Sequence, residues 1–412
     1  MKVPSDAMIP IADAQRTVWS TCERLNTMAL DHAQAVGRVL ARDVVAAENV
    51  PPFDNSAVDG YAVRAADVSG APVDLAVIDT VAAGAASSRT LQAGEAIRIM
   101  TGAPIPGGVD AVVMVEDSER LENNRVRLSK VAEVGAAIRH AGSDVRAGEV
   151  VFRAGTVLNA AAIGVLASIN ARSVEVFARA RVALLSTGDE LVIDGSPLGP
   201  GQIRESNLTM LDELIRHTGC ELINLGVVRD DEAELERVLR DVSARCDAIV
   251  TSGGVSVGDF DVVKAVLSRI ATMRWMQLAI KPAKPFAFGL LDGTPVFGLP
   301  GNPVSSFVSC ELMARPALRK MMGHTQLHRP LVNAIAADEF RRKPDGKLHF
   351  QRVVAAVDPA GNLTAAPVAA QGSHQLAATA LANALAVLPD GPTIPAGETV
   401  KVMLIGPLTI TP

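Results

Sequence analysis

The feature that most constrains this chain is a single join. Residues 248–250 are an apolar run with no polar alternation, and they pass straight into Thr251-Ser252-Gly253-Gly254-Val255-Ser256-Val257-Gly258-Asp259-Phe260-Asp261. A helical pattern follows to residue 270. An unalternated apolar run suits a strand covered on both faces, as in α/β layers. Three glycines where such a strand meets a helix let the backbone approach a ligand closely, and free N–H groups at a helix start favour phosphate. No GK[ST] follows and the GxGxxG spacing is absent, so neither a Walker loop nor a dinucleotide fingerprint is present. The turn reads as a phosphate or nucleotide loop of another type, the alternative being a structural glycine turn.

The same grammar runs through residues 180–325. Strands are expected over 182–185, 221–228, 248–250 and 295–299, and helices over 206–217, 231–242, 261–270 and about 303–321. Alternation of this kind predicts an α/β layer with a largely parallel sheet, which binds ligands beyond the carboxyl ends of its strands. Polar clusters stand at those ends. Ser186-Thr187-Gly188-Asp189-Glu190-Leu191 suits either Mg²⁺ contact through carboxylates or a capped helix start. Asp230 follows another strand. Lys281-Pro282-Ala283-Lys284-Pro285 presents two lysines on a proline-stiffened segment, either for a dianion or as solvated surface charge. Pro300, Asn302 and Pro303 lie in a Gly/Pro turn that capping explains in part.

The flanks differ. Apolar residues Ile11, Ala14, Val18, Cys22 and Leu25 have helical spacing, and 147–178 reads as apolar and helical. Between them, about 46–143 is rich in Gly and Pro with short strand-like runs, which predicts a β-rich module inserted into a first domain. The module carries PPFDNSAVDGYA, with Asp54 and Asp59 in a turn, then Thr101 in TGAPIPGG, then Gly142-Ser143-Asp144. Residues 326–412 predict a compact β-barrel or sandwich. The expected division is 1–46 with 146–179, 47–145, 180–325 and 326–412. The fold class is multidomain α/β plus β.

Composition narrows the function classes. Lys and Arg number 39 against 45 Asp and Glu, a net charge of −6, which argues against a general nucleic-acid binder. MKVPSDAMIP has no apolar core of a signal peptide, and no stretch approaches the ~18 apolar residues of a membrane span. The four cysteines, Cys22, Cys220, Cys246 and Cys310, form no CxxC, so reduced core thiols in a cytoplasmic protein are expected. His324 and His328 lack a nearby third ligand and do not read as a metal pair.

Taken in order, PPFDNSAVDGYAV, TGAPIPGGVDAVV, STGDEL, GQIRESN, TSGGVSVGDFD, IKPAKPFAFG and GLPGNPVSS resemble the molybdopterin molybdenumtransferase family, that is MoeA and the E-domain of gephyrin-type proteins. The likeness runs from about residue 10 to the C-terminus. Its central part is shared with the smaller molybdopterin adenylyltransferases. The resemblance implies four domains, the third like MoaB and MogA, in an elongated homodimer. It implies insertion of molybdate into adenylylated molybdopterin, with Mg²⁺ and release of AMP, in a cleft shared between two subunits. By the same resemblance, Asp59, Glu190, Asp230, Asp261 and Lys281 are the catalytic candidates, with Glu190 and Asp261 as metal ligands. Thr101, Asp144, Gly253, Gly254, Ser256, Gly258, Lys284, Pro300, Asn302, Pro303, Arg352 and Ser373 are the substrate-binding candidates. Val58 and Glu205 stand where the family commonly has methionine and aspartate.

Overall fold

The computed structural model describes residues 8–255 and 262–410. Ser256, Gly258 and Asp261 lie outside the described residues. The chain divides into two compact units, Met1–Met28 with Phe177–Pro412, and Ala29–Val176.

The first unit contains the α/β layer. Among the described residues its sheet has six strands, in the order Glu221–Val228, Arg181–Thr187, Ala248–Ser252, Thr294–Leu299, Pro285–Leu291, Thr272–Gln277. Side chains of a strand alternate between faces. Val182 and Leu184 accordingly join Leu208, Leu211 and Ile215 of the helix Asn207–His217 on one side. Ala183, Leu185 and Ile249 meet Leu235 and Leu239 of Glu232–Ser243, and Val263 and Val266 of Val262–Ile270, on the other. Burial of one such leucine contributes about 1.5–3 kcal/mol, which is what makes the two-sided strand pattern decisive.

The sheet is mixed: three of its five pairings are parallel, as the sequence led one to expect, and two at one edge are antiparallel. The pairings among Glu221–Val228, Arg181–Thr187, Ala248–Ser252 and Thr294–Leu299 are parallel. Thr294–Leu299, Pro285–Leu291 and Thr272–Gln277 pair antiparallel. The cause is local: Asp292 and Gly293 both have positive φ (50° and 86°), the conformation of a two-residue hairpin turn.

Three helix expectations are also adjusted. The first helix is Ile11–Thr21, because Cys22 turns to extended backbone, so Leu25 lies beyond it. Within 147–178 only Ala160–Ser168 is helical. Ser173–Phe177 is instead a strand whose Val174 and Val176 point to one buried face. The rod from Pro303 to Met321 is continuous but contains a π-helical segment, Cys310–Ala314.

The C-terminal expectation resolves to a barrel. Leu348–Val357, Leu363–Pro367, Leu331–Ala336, Thr399–Leu404 and Ala384–Leu388 close into a ring by the pairing of the first with the last. Phe350, Leu385 and Met403 of that ring share a core with Phe307, Leu312 and Met313, so barrel and α/β layer are packed together.

The second unit holds, among its described residues, a six-stranded mixed sheet around Tyr61, Val63, Leu75 and Val113. Gly60 starts a strand so close to its neighbour that a Cβ there would lie 2.1 Å from the Val113 carbonyl oxygen. Only glycine fits.

Candidate functional site

Four parallel strands end together, and a cleft of about 820 Å³ opens beyond their carboxyl ends. Ser186 and Thr187 end the strand Arg181–Thr187 and Gly188 and Glu190 follow it; Asp230 follows Glu221–Val228, Gly253 and Gly254 follow Ala248–Ser252, and Pro300, Gly301, Asn302 and Pro303 follow Thr294–Leu299. Glu205, Ser206 and Asn207 enter from the start of the helix Asn207–His217, and His374 from a loop of the barrel.

Polar ties hold the floor. Ser186 Oγ donates to the Ser252 carbonyl at 3.2 Å. The buried Asn207 amide donates to Ser252 Oγ at 2.9 Å and to the Gly301 carbonyl at 2.8 Å, joining three walls. The Gly253 N–H donates to the Leu299 carbonyl at 3.0 Å, extending the pairing with the neighbouring strand by one residue. Gly253 and Gly254 have φ of +90° and +78°, and a Cβ on Gly254 would lie 2.3 Å from Val263 Cβ. Backbone conformation favours glycine at both positions, and space requires it at Gly254 as well.

The acids have distinct surroundings. The Glu190 carboxylate folds over Gly188, 2.6 Å from where a Cβ would stand. Asp189 and Asp230 exchange long contacts, each backbone N–H reaching the other's carboxylate at 3.4 Å. Burial pushes the Asp230 carboxyl above the usual range, and the Asp189 and Glu190 charges add to this, against the Asp189 N–H that lowers it. Burial likewise raises the Glu205 carboxyl, although Glu205 caps the Leu208 N–H at 2.9 and 3.0 Å. Among the described residues no three Asp, Glu, His or Cys side chains converge as a ready metal cage. Such acids suit a hard divalent ion that keeps waters and shares substrate oxygens.

The structure thus brings Glu190, Asp230, Gly253, Gly254, Pro300, Asn302 and Pro303 onto one cleft. Lys281 and Lys284 are exposed but are not among its lining residues. Arg352 is buried, and its guanidinium donates to the Ala370 carbonyl at 2.6 Å and the Gly372 carbonyl at 3.1 Å. It holds a loop rather than standing free as an anion ligand. Ser373 lies in that loop, its carbonyl accepting the Val304 N–H at 3.1 Å. Asp59, Thr101 and Asp144 belong to the second unit, where all three are exposed. There Asp59 accepts from both the N–H and the hydroxyl of Thr101 at 2.7 Å, which lowers its carboxyl. Sequence reasoning passed over Arg204, Glu205, Asn207 and His374 as cleft residues. GQIRESN pointed toward the first three, but nothing local marked His374.

Comparison with known proteins agrees along the chain. Residues 9–170 match the MoeA N-terminal region (domain I and II), 183–320 a probable molybdopterin binding domain, and 333–405 the MoeA C-terminal region (domain IV). A molybdopterin molybdenumtransferase of Haemophilus influenzae is 38% identical over 377 residues, covering 91% of this chain and 93% of that protein. Molybdopterin molybdenumtransferase 2 of Mycobacterium tuberculosis is 38% identical over 393 residues, covering 93% and 96%. The crystal structure of the molybdopterin biosynthesis moeA protein from Pyrococcus horikoshii OT3 superposes with a TM-score of 0.82 at 31% identity, covering 97% of this chain and all of that one. With this fold, this cleft and relatives of this extent, the chain belongs to the molybdopterin molybdenumtransferase (MoeA) family.

Proposed function

We propose that this protein inserts molybdate into adenylylated molybdopterin and releases AMP, as a transferase of molybdenum cofactor synthesis acting in the cytoplasm. The observation that carries this reading is the cleft at the strand ends, where Glu190, Asp230 and the Gly253–Gly254 turn converge. The two substrates are anions: molybdate is a tetrahedral dianion, and the adenylylated pterin carries a pyrophosphate. Preorganised N–H groups stabilise such charge without reorganising. Gly254 sits where its backbone can approach a phosphate, with Pro300, Asn302 and Pro303 as the wall. Lys281 and Lys284, exposed and off the cleft lining, would draw molybdate toward it as fixed cations.

The acids fit Mg²⁺ as hard oxygen donors, and Glu190 and Asp230, with Asp261, would hold it. When bound, the ion would neutralise the pyrophosphate as AMP departs. Arg352 acts through the loop it holds, bringing Ser373 and His374 to the cleft side of the barrel. Asp59, Thr101 and Asp144 complete the site from a second copy of the chain, so the working form is a homodimer.

The test is AMP release from adenylylated molybdopterin in Mg²⁺, with and without molybdate. Release that requires molybdate, and that is lost in Glu190→Ala with an unchanged melting curve, is expected. Release indifferent to molybdate would refute insertion. Sedimentation at assay concentration checks the dimer, and a monomer with full activity would remove the shared-site reading.

A further inference from the structure

We propose that His374 donates a hydrogen bond to a tetrahedral oxyanion of the substrate, and so helps determine which anion the cleft accepts. This rests on the molybdenum-transfer reading above and deepens it.

The first argument is charge. Among the described residues lining the cleft, Glu190, Glu205 and Asp230 carry carboxylates. Only Arg204 and His374 have side chains able to carry positive charge. An acid-lined cleft that takes an anion needs donors that face it, and Lys281 and Lys284 are not on that lining.

The second is presentation. The loop from Ala370 to Gln375 is tied down by bonds that do not involve the imidazole. Arg352 holds two of its carbonyls, and the Gln371 side chain donates to the Arg352 carbonyl at 2.9 Å and accepts its N–H at 3.0 Å. The Gly372 N–H donates to Gln375 Oε1 at 2.6 Å. The Ser373 carbonyl takes the Val304 N–H at 3.1 Å, one residue beyond the cleft-lining Pro303. A Cβ at Gly372 would lie 3.0 Å from His374 Cε1 and 2.7 Å from Gln375 Oε1, so both side chains fold back closely over Gly372.

The third is availability. His374 is exposed, and among the described residues neither ring nitrogen has a hydrogen-bond partner. A ring that takes no part in holding its own loop, yet is carried rigidly to an acid-lined cleft, is placed for a ligand. The imidazole N–H can serve an oxyanion, and rigid presentation lowers the ordering cost of that bond. Arg352 is then a positioning residue that acts through the loop.

Two oxyanions are available, the phosphate of AMP and molybdate. The experiment measures Kd for AMP and for sodium molybdate separately, by calorimetry, on the full chain as wild type, His374→Ala and His374→Gln. Glutamine keeps an N–H donor of similar reach. A loss on the order of tenfold is expected in His374→Ala for one anion, largely recovered in His374→Gln. A loss confined to AMP assigns the phosphate; one confined to molybdate assigns its oxygens. Affinities within twofold of wild type for both anions would overturn the proposal, as would equal losses in the two variants or a collapsed melting curve in both. A wild type that binds neither anion and releases no AMP would instead remove the transferase reading itself.

Discussion

Gly253 and Gly254 are adjacent, share a positive φ and line the same cleft, yet their alanine variants should behave differently. At Gly253 (φ +90°) a Cβ would meet nothing nearer than the Thr187 carbonyl at 3.4 Å. Gly253→Ala therefore carries backbone strain alone, about 1–2 kcal/mol. At Gly254 (φ +78°) the same atom would lie 2.3, 2.5 and 2.9 Å from Val263 Cβ, Cγ2 and Cγ1. Val263 is buried in the core beneath its helix and cannot swing away. Gly254→Ala adds an overpacking penalty of about 1–3 kcal/mol to the strain. Urea unfolding of both variants, and of Gly254→Ala/Val263→Gly with Val263→Gly as its control, measures this. Glycine removes all three contacting atoms, so the double variant should recover about 1–3 kcal/mol relative to additivity. AMP affinity should fall further in Gly254→Ala, because relief of the clash moves the glycine turn. Equal destabilisation of the two single variants, or strict additivity in the double, would refute the steric reasoning.

Other perturbations test other parts. Glu311, in the π-helical segment, is buried and takes a two-bond contact from Arg329 at 2.8 and 2.9 Å. Glu311→Gln should cost about 3–5 kcal/mol by leaving Arg329 without its counter-charge; a loss under 1 kcal/mol in a denaturant titration would show that water already screens the pair. Burial, reinforced by Arg319 and Arg315, pushes the buried His324 ring down to about 4 from the ordinary 6.5. The unfolded state then binds more protons between those values, so stability present above pH 6.5 is lost as pH falls toward 4, by at most about 3 kcal/mol. His324→Phe should flatten that part of the pH–stability curve, and an unchanged slope would count against it. Asp230 shifts the other way for an acid. Its raised carboxyl disfavours the charged form in the fold, so Asp230→Asn should melt higher than wild type near neutral pH while losing activity. That gain should vanish as pH falls below 3.8; a lower melting point at neutral pH would contradict the stated cause.

Much of the architecture was legible because it is periodic. The helix 232–243 repeats apolar residues at Leu235, Leu239 and Val242, and those are the ones it buries. The strand 248–252 is apolar or small throughout and is buried throughout. The antiparallel half of the sheet was less legible, since Thr272–Gln277 mixes Arg274 and Gln277 with Met and Trp. The π-helical segment left little local sign either: Arg315 stands 3.7 Å from Glu311, but the close two-bond partner is Arg329, eighteen residues on.

The sequence by itself determined the local grammar: which segments are strands or helices, where glycine must stand, and an ordered set of motifs specific enough to indicate a family. Tertiary structure decided which polar groups remain available. Arg352 reads as an anion ligand in one dimension, but folding buries it against the carbonyls of Ala370 and Gly372. Nothing local in the sequence marks His374, but the loop held by Arg352 carries it to the cleft. The reason is physical. Helix and strand patterns follow from side chains a few residues apart, whereas the freedom of a charged group depends on which distant backbone atoms fold over it.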